Sequence, residues 1–274
     1  MLFTIYINDL PTWLNSTTPL YGYADDINIL KASTISDIDI LHDDLEHEIH
    51  RLTTWFHSNS LKPNISKYQY MLFGTRQQLQ KIPNHIKFLS AQNVTIRVTP
   101  SATCLGLRLD PELSWSNHVA YLRRTCGYRL TKLARVRRCI PVKVRKNVIS
   151  ATVFSLLDYC DTVFSNCNLT LKSNLQRIIN FAVRIQCGLK KSDHVSSHRT
   201  SLNWPTVQER HAEHFEKLVN KCINSKVPAY HYLSDLFTHN SSIHQYNTRS
   251  KYHIPKAHSR SFKYRSAIIA NNLN

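Results

Sequence analysis

The sequence predicts an α+β chain, with short strands and one long helix in its first part and mostly helices after it. Short apolar runs bounded by turn residues set the strands, and runs with apolar positions every three or four residues set the helices. Charge divides the chain in a similar way. Residues 1–50 hold nine of the 18 acidic side chains and a single Lys or Arg, Lys31, for a net of −8, which leaves +25 on the rest of a chain whose total is +17. Such polarity suits a metal-holding end followed by a phosphate-holding body.

Leu20 to Tyr23 and Ile27 to Leu30 read as two strands of a hairpin with Ala24, Asp25 and Asp26 at its tip. Ser36, with Asp37 and Asp39, marks a helix start, because acids suit the positive end of the helix dipole. Ile38, Leu41, Leu45, Ile49, Leu52 and Trp55 or Phe56 form its apolar stripe, and the stretch Asn59 to Asn64 with Lys62-Pro63 ends it. Tyr68 to Gly74 reads as a strand, Ile86 to Leu89 with Val94 to Val98 as a hairpin around Ala91-Gln92-Asn93, and Thr103 to Asp110 as another strand. Val142 to Leu157, Leu171 to Cys187 and Val207 to Ile223 have helical spacing, punctuated by Pro141, Gly188, Pro205 and Pro228.

Two elements carry chemistry. Asp25 and Asp26 place adjacent carboxylates at a bend, where they repel each other; hard oxygen ligands for Mg²⁺ would explain them, and a solvated acidic turn is the alternative. The second element spans the interval between Glu112 and Asp158, which contains no acid but holds Arg123, Arg124, Arg129, Lys132, Arg135, Arg137, Arg138, Lys143, Arg145 and Lys146. There Val119, Leu122, Cys126, Leu130, Leu133 and Ile140 fall on one side of a helix. Arg124, Lys132, Arg135 and Arg138 fall on the other, near Tyr121 and Tyr128. A solvated helix usually mixes signs for intrahelical pairs, so an acid-free face points to a phosphate backbone rather than to water alone. A second basic region follows Asp235, where Tyr246, Tyr252, Phe262 and Tyr264 lie among Arg249, Lys251, Lys256, Arg260, Lys263 and Arg265. It reads either as a base-stacking segment or as a loosely packed tail.

An ordered series of motifs resembles the reverse transcriptases of non-LTR (LINE-type) retrotransposons. Leu2 to Pro11, then Tyr23-Ala24-Asp25-Asp26, then Trp55 with Leu61, Asn64 and Lys67, then Met71 to Gly74, then Cys104 to Asp110, then Leu113, Trp115 and His118 follow the family's order. Tyr246 to Ser250 and Ser261 to Arg265 resemble its C-terminal signature. The resemblance implies a palm part at 1–110, a helical thumb at 111–168 and a helical extension with a basic tail at 169–274. Asp25 is then a ligand of the catalytic metals, Mg²⁺ or Mn²⁺, with Asp26 beside it. Lys67 lies near the catalytic palm, Leu105, Gly106 and Leu107 belong to the primer grip, and the thumb holds the template-primer duplex through Arg123, Arg124, Lys132, Arg135, Arg138, Lys143 and Arg145. Cys104 and Tyr68 stand where the family usually has Tyr and Thr, and Ala270 and Asn274 where it has Trp and Pro.

In that family the first metal-binding Asp and the fingers precede the segment at which Met1 stands, so the expectation is the rear part of a polymerase. Substitution of the missing carboxylate by Asp9 is not expected, because Asp9 falls at the end of a helix. The resemblance implies RNA-templated DNA synthesis by two-metal nucleotidyl transfer in a full-length enzyme, where a longer chain or a partner chain supplies the rest of the palm and the fingers, and a longer chain can also carry an endonuclease. The alternative is a silent nucleic-acid-binding remnant. Partners are then an RNA template and a DNA primer or their duplex.

Seven cysteines at irregular spacing argue against a disulfide framework and for reduced, intracellular thiols, in nucleus or cytoplasm. Cys160, Cys167, Cys187, His194 and His198 lack a Cys-x-x-Cys pair, and zinc is not expected. Five glycines leave no phosphate-cradling loop, and the N-terminal apolar run, which has no cationic start and meets Asp9 early, indicates neither a signal peptide nor a membrane span.

Overall fold

The computed structural model describes residues 2–15, 18–91, 94–224, 233–243, 250–257 and 261–273. It is a mixed α+β chain, mostly helical, with three two-stranded antiparallel hairpins. The chain divides into two compact units, Met1–Ser114 and Trp115–Asn274. Within the second unit the long helices on either side of residue 168 pack together.

In the first unit the helices are α1 (Leu2–Tyr6), α2 (Leu10–Trp13), α3 (Ile38–Ser58) and α4 (Arg76–Gln80), and the strands are β1 (Leu20–Tyr23), β2 (Asp26–Ile29), β3 (Phe88–Ala91), β4 (Val94–Arg97), β5 (Ala102–Cys104) and β6 (Leu107–Leu109). The apolar stripe of α3 is shared between two cores. Leu52 and Trp55 join Leu10 and Leu14, with Leu20, Ile27 and Ile29 of the β1–β2 hairpin packed against them. Ile49, with Leu45, meets Tyr70, Leu89, Ala91 and Ile96. Between these two, Glu48 is buried and accepts hydrogen bonds from the Asn15 N–H and the Thr18 hydroxyl, with Lys31 Nζ 3.8 Å away. A short 3₁₀ turn, Ile35–Asp37, precedes α3, and the Thr34 hydroxyl donates to Asp37 Oδ2 at 2.7 Å. The 3₁₀ turn thus begins one residue before the expected Ser36, and α3 itself two residues after it. The helix ends at Asn59, and Ser60 turns the chain with φ 54°.

The expected strands at 68–74 and 103–110 are corrected here. Among the described residues each hairpin pairs only within itself. Tyr68 to Gly74 is not a strand. Tyr68, Tyr70 and Leu72 do alternate into the α3 core, but the backbone pairs only at a single bridge, Tyr70 with Val98, while the Tyr70 hydroxyl donates to the Ile86 carbonyl. Thr103 to Asp110 is a hairpin rather than one strand, turning at Leu105 and Gly106. Gln92 and Asn93 of the expected β3–β4 turn lie outside the described residues.

In the second unit α5 (Ser116–Val136) packs on α9 (Leu169–Cys187). Its buried positions are His118, Val119, Leu122, Cys126, Leu130 and Leu133, five of them from the stripe read in the sequence. Helix α6 (Val142–Ile149), capped by Pro141, continues through a π turn at Ser150–Phe154 into α7 (Ser155–Asp158), so the expected helix Val142 to Leu157 is present with a widened middle turn. The Thr152 hydroxyl in that turn and the Ser155 hydroxyl just after it bond back to the carbonyls of Val148 and Ala151, a habit that loosens helical geometry. Then follow α8 (Asp161–Phe164), α9, which Gly188 ends with φ 73°, α10 (Ser196–Ser201), α11 (Val207–Asn224) and α12 (Phe262–Asn272). Phe215 and Val219 of α11, Tyr252, and Ala270 of α12 form a further core.

Candidate nucleic-acid interface

Arg123, Arg124, Lys132 and Arg135 are exposed on α5, and Arg138, Lys143 and Lys146 are exposed just after it. None of these seven takes part in an ion pair among the described residues. Tyr128, at 62% exposure, stands among them, with Lys132 Nζ 4.4 Å from its ring centroid. At 100° per residue Arg124, Tyr128, Lys132 and Arg135 form one ridge along the helix. Beside this ridge an open groove of about 490 Å³ runs between α5 and the start of α9. Arg123, Gly127 and Asn174 line it, together with Arg124 and Tyr128 from the ridge.

Arg145 is corrected from a phosphate-binding residue to a buried clamp. Its guanidinium donates to the carbonyls of Ile185 and Gln186 at 3.0 Å, of Arg137 at 2.8 Å and of Ile140 at 3.2 Å. These carbonyls lie at the last turn of α9 and just beyond α5, where backbone acceptors lack helical donors and a cation meets the negative end of the dipole. Arg129 is also turned to structure, donating to the Thr152 carbonyl of the π turn.

In the C-terminal basic region two of the described aromatics are taken up by packing. Tyr252 is buried and Phe262 packs on Phe215, so these aromatics belong to a core and do not stack on bases. Arg265 lies 4.0 Å over the Phe215 ring and donates to the Ser165 hydroxyl, and burial holds its pKa below the usual arginine value. Lys251, Lys256 and Lys263 are exposed, whereas Tyr246, Arg249 and Arg260 lie outside the described residues.

In the first unit, the β1–β2 register pairs Tyr23 with Asp26, which leaves Ala24 and Asp25 as a two-residue tip. Asp26 therefore opens β2 instead of belonging to the bend. Ala24 takes φ 53°, a left-handed conformation that costs an alanine about 1 kcal/mol. Both carboxylates are exposed. Their oxygen chemistry fits a hard divalent cation. Among the described residues no third acidic, histidine or cysteine ligand joins them. Asp9 is engaged elsewhere, accepting from Trp55 Nε1 at 3.3 Å. Lys67 is exposed at the end of a 3₁₀ turn, Ile65–Lys67. Leu105 (φ 45°) and Gly106 (φ 82°) both adopt left-handed backbone, the type I′ pattern of a tight hairpin, with Leu107 buried below them.

One cluster was missed in the sequence. Cys160, with φ 51°, reverses the chain between α7 and α8 and brings Asp158 and Asp161 toward α11. Arg210 Nε donates to Asp158 Oδ1 at 2.8 Å and its Nη2 to Oδ2 at 2.5 Å, while His214 Nδ1 lies 2.6 Å from Asp161 Oδ2. Donor atoms of Asp158, Asp161 and His214 lie within 4.8 Å of one another, so this group can hold a metal ion. Arg210 already covers both Asp158 oxygens, and an ion would have to displace it. Burial raises the Asp161 pKa, opposed by its bond to His214. The sequence offers only the spacing within each half, Asp158 with Asp161 at i, i+3 and Arg210 with His214 at i, i+4, and nothing that pairs the two halves. Cys160, Cys167, Cys187, His194 and His198 do not gather into a metal-binding group among the described residues, and no disulfide joins any of the seven cysteines.

No helix of the described residues is long and apolar enough to cross a membrane. No protein-family model, curated protein or solved structure matches the chain.

Proposed function

We propose that this chain binds nucleic acid through the cationic ridge of α5, as part of a protein of the reverse-transcriptase type. The observation that carries the reading is the ridge itself: Arg124, Lys132 and Arg135 are exposed, without acidic partners among the described residues, on a helix whose other face is buried. A soluble helix gains from mixed charges at i, i+4 spacing, and this one forgoes them. Neutralising a phosphate backbone is the interaction that repays such a face.

Within that reading Asp25 and Asp26 bind Mg²⁺ or Mn²⁺, and RNA-templated DNA synthesis by two-metal transfer is the activity of the complete enzyme. A binding-only role is the second reading, favoured by the absence of a third ligand near Asp25 and Asp26 among the described residues. Primer extension on an RNA template with Mg²⁺ or Mn²⁺ decides between them. The binding-only reading expects the 274-residue chain to retain the primed template without extending it. Extension that Asp25→Asn abolishes would establish the polymerase reading for this chain, and failure to bind any template, primer or duplex would remove both.

A further inference from the structure

We infer that the groove between α5 and α9 receives an unstacked nucleobase of a single-stranded nucleic acid, with the base against Tyr128 and the adjoining phosphates on Arg123 and Arg124. This rests on the reading of α5 as a nucleic-acid-binding helix and names the form of nucleic acid that it selects.

Size is the first support. The groove's volume of about 490 Å³ lies within the roughly 300–1,000 Å³ of small-ligand sites, enough for a nucleotide. Its walls combine a cationic edge, Arg123 and Arg124, with Tyr128, a residue 62% exposed whose ring has Lys132 Nζ 4.4 Å from its centroid and can offer its other face to a base. Base stacking on such a ring is sequence-tolerant, since every base has a π face, and the cations track the strand alongside. A duplex presents phosphates to the ridge but keeps its base faces stacked within itself.

Gly127 is the second support. It lies inside α5, where glycine weakens a helix, and no left-handed backbone requires it. Nor does close packing, because a Cβ at this position would meet no heavy atom within 4 Å. Its missing side chain leaves the groove open beside Tyr128. Across the groove, Arg177 donates to Asn174 Oδ1 at 3.2 Å, which leaves the amide nitrogen as the donor that Asn174 offers to a base edge or phosphate.

The test uses the whole chain and two fluorescein-labelled DNA probes, a single strand of about 12 nucleotides and its blunt duplex. Tyr128→Ala and Gly127→Leu are compared with Arg135→Ala, which alters the ridge but does not line the groove. Melting temperatures confirm that each variant is folded. The groove variants are expected to weaken single-strand binding by roughly 5- to 150-fold and duplex binding by no more than about twofold. Arg135→Ala is expected to weaken both probes alike. If both groove variants bind the single strand as the wild type does, or lose both probes equally, the groove inference is overturned while binding through the ridge stands. If the unmodified chain binds neither probe, the nucleic-acid reading fails and the groove inference fails with it.

Discussion

Arg145 Nη1 donates to the Ile185 carbonyl at 3.0 Å, so a cation of the acid-free interval is committed to the end of α9. The same guanidinium also meets the carbonyls of Arg137 and Ile140 just beyond α5. Arg145→Ala leaves four carbonyls without this donor, and its expected cost is at least about 3 kcal/mol of stability. Arg145→Lys is expected to recover little, because an ammonium cannot reproduce the planar fork. Urea unfolding of both variants checks this; a near-wild-type midpoint for Arg145→Ala would return the residue to the surface.

Trp55 is fully buried and its indole N–H is held by Asp9. Trp55→Ala is expected to destabilise the first unit by about 3–5 kcal/mol. Asp9→Asn keeps an acceptor in place and is expected to cost less than about 1 kcal/mol. Thermal melts report both. If Asp9→Asn instead abolished Mn²⁺ binding without altering the melt, Asp9 would be a metal ligand after all.

His211 makes the second unit sensitive to acid. Burial depresses its pKa from 6.5 to about 4, reinforced by Lys172 of α9, by His214 and by Arg265, and opposed by Asp158. Its Nδ1 is buried without a hydrogen-bond partner among the described residues. A base with a lowered folded-state pKa takes up its proton more readily when unfolded. The stability it contributes is therefore complete above pH 6.5 and is lost as the pH falls toward about 4. The loss amounts to about 3 kcal/mol by the bottom of that window. Asp161, whose pKa is raised, acts in the opposite sense and offsets part of the loss at its lower end. His211→Leu is expected to flatten the dependence of the urea midpoint on pH across this window; an unchanged slope would assign the sensitivity to another group.

Much of the fold was legible because periodicity reports burial directly. Val119, Leu122, Cys126, Leu130 and Leu133 were read from spacing alone and are the buried face of α5. Gly188 was read as punctuation and ends α9 in left-handed backbone. What failed was pairing. Tyr68, Tyr70 and Leu72 alternate as a strand does, yet alternation reports only which side chains point inward, and the backbone finds one bridge. The candidate site shows the same boundary. A run of cations is visible in the sequence, but whether a given one faces solvent or a helix end depends on contacts some 40 residues away, as between Arg145 and Ile185. The Asp158–Arg210 and Asp161–His214 pairs were invisible for the same reason, being made across the reversal at Cys160.

The central claim is that α5 and the residues just after it neutralise phosphates, and the salt dependence of DNA binding tests it most directly. With Arg123, Arg124, Lys132, Arg135, Arg138 and Lys143 engaged, log affinity against log salt is expected to fall with a slope of about −5. The triple variant Arg124→Gln, Lys132→Gln, Arg135→Gln is expected to reduce this to about −3, with the melting temperature unchanged. A slope near zero, or one that the triple variant leaves unaltered, would contradict the account.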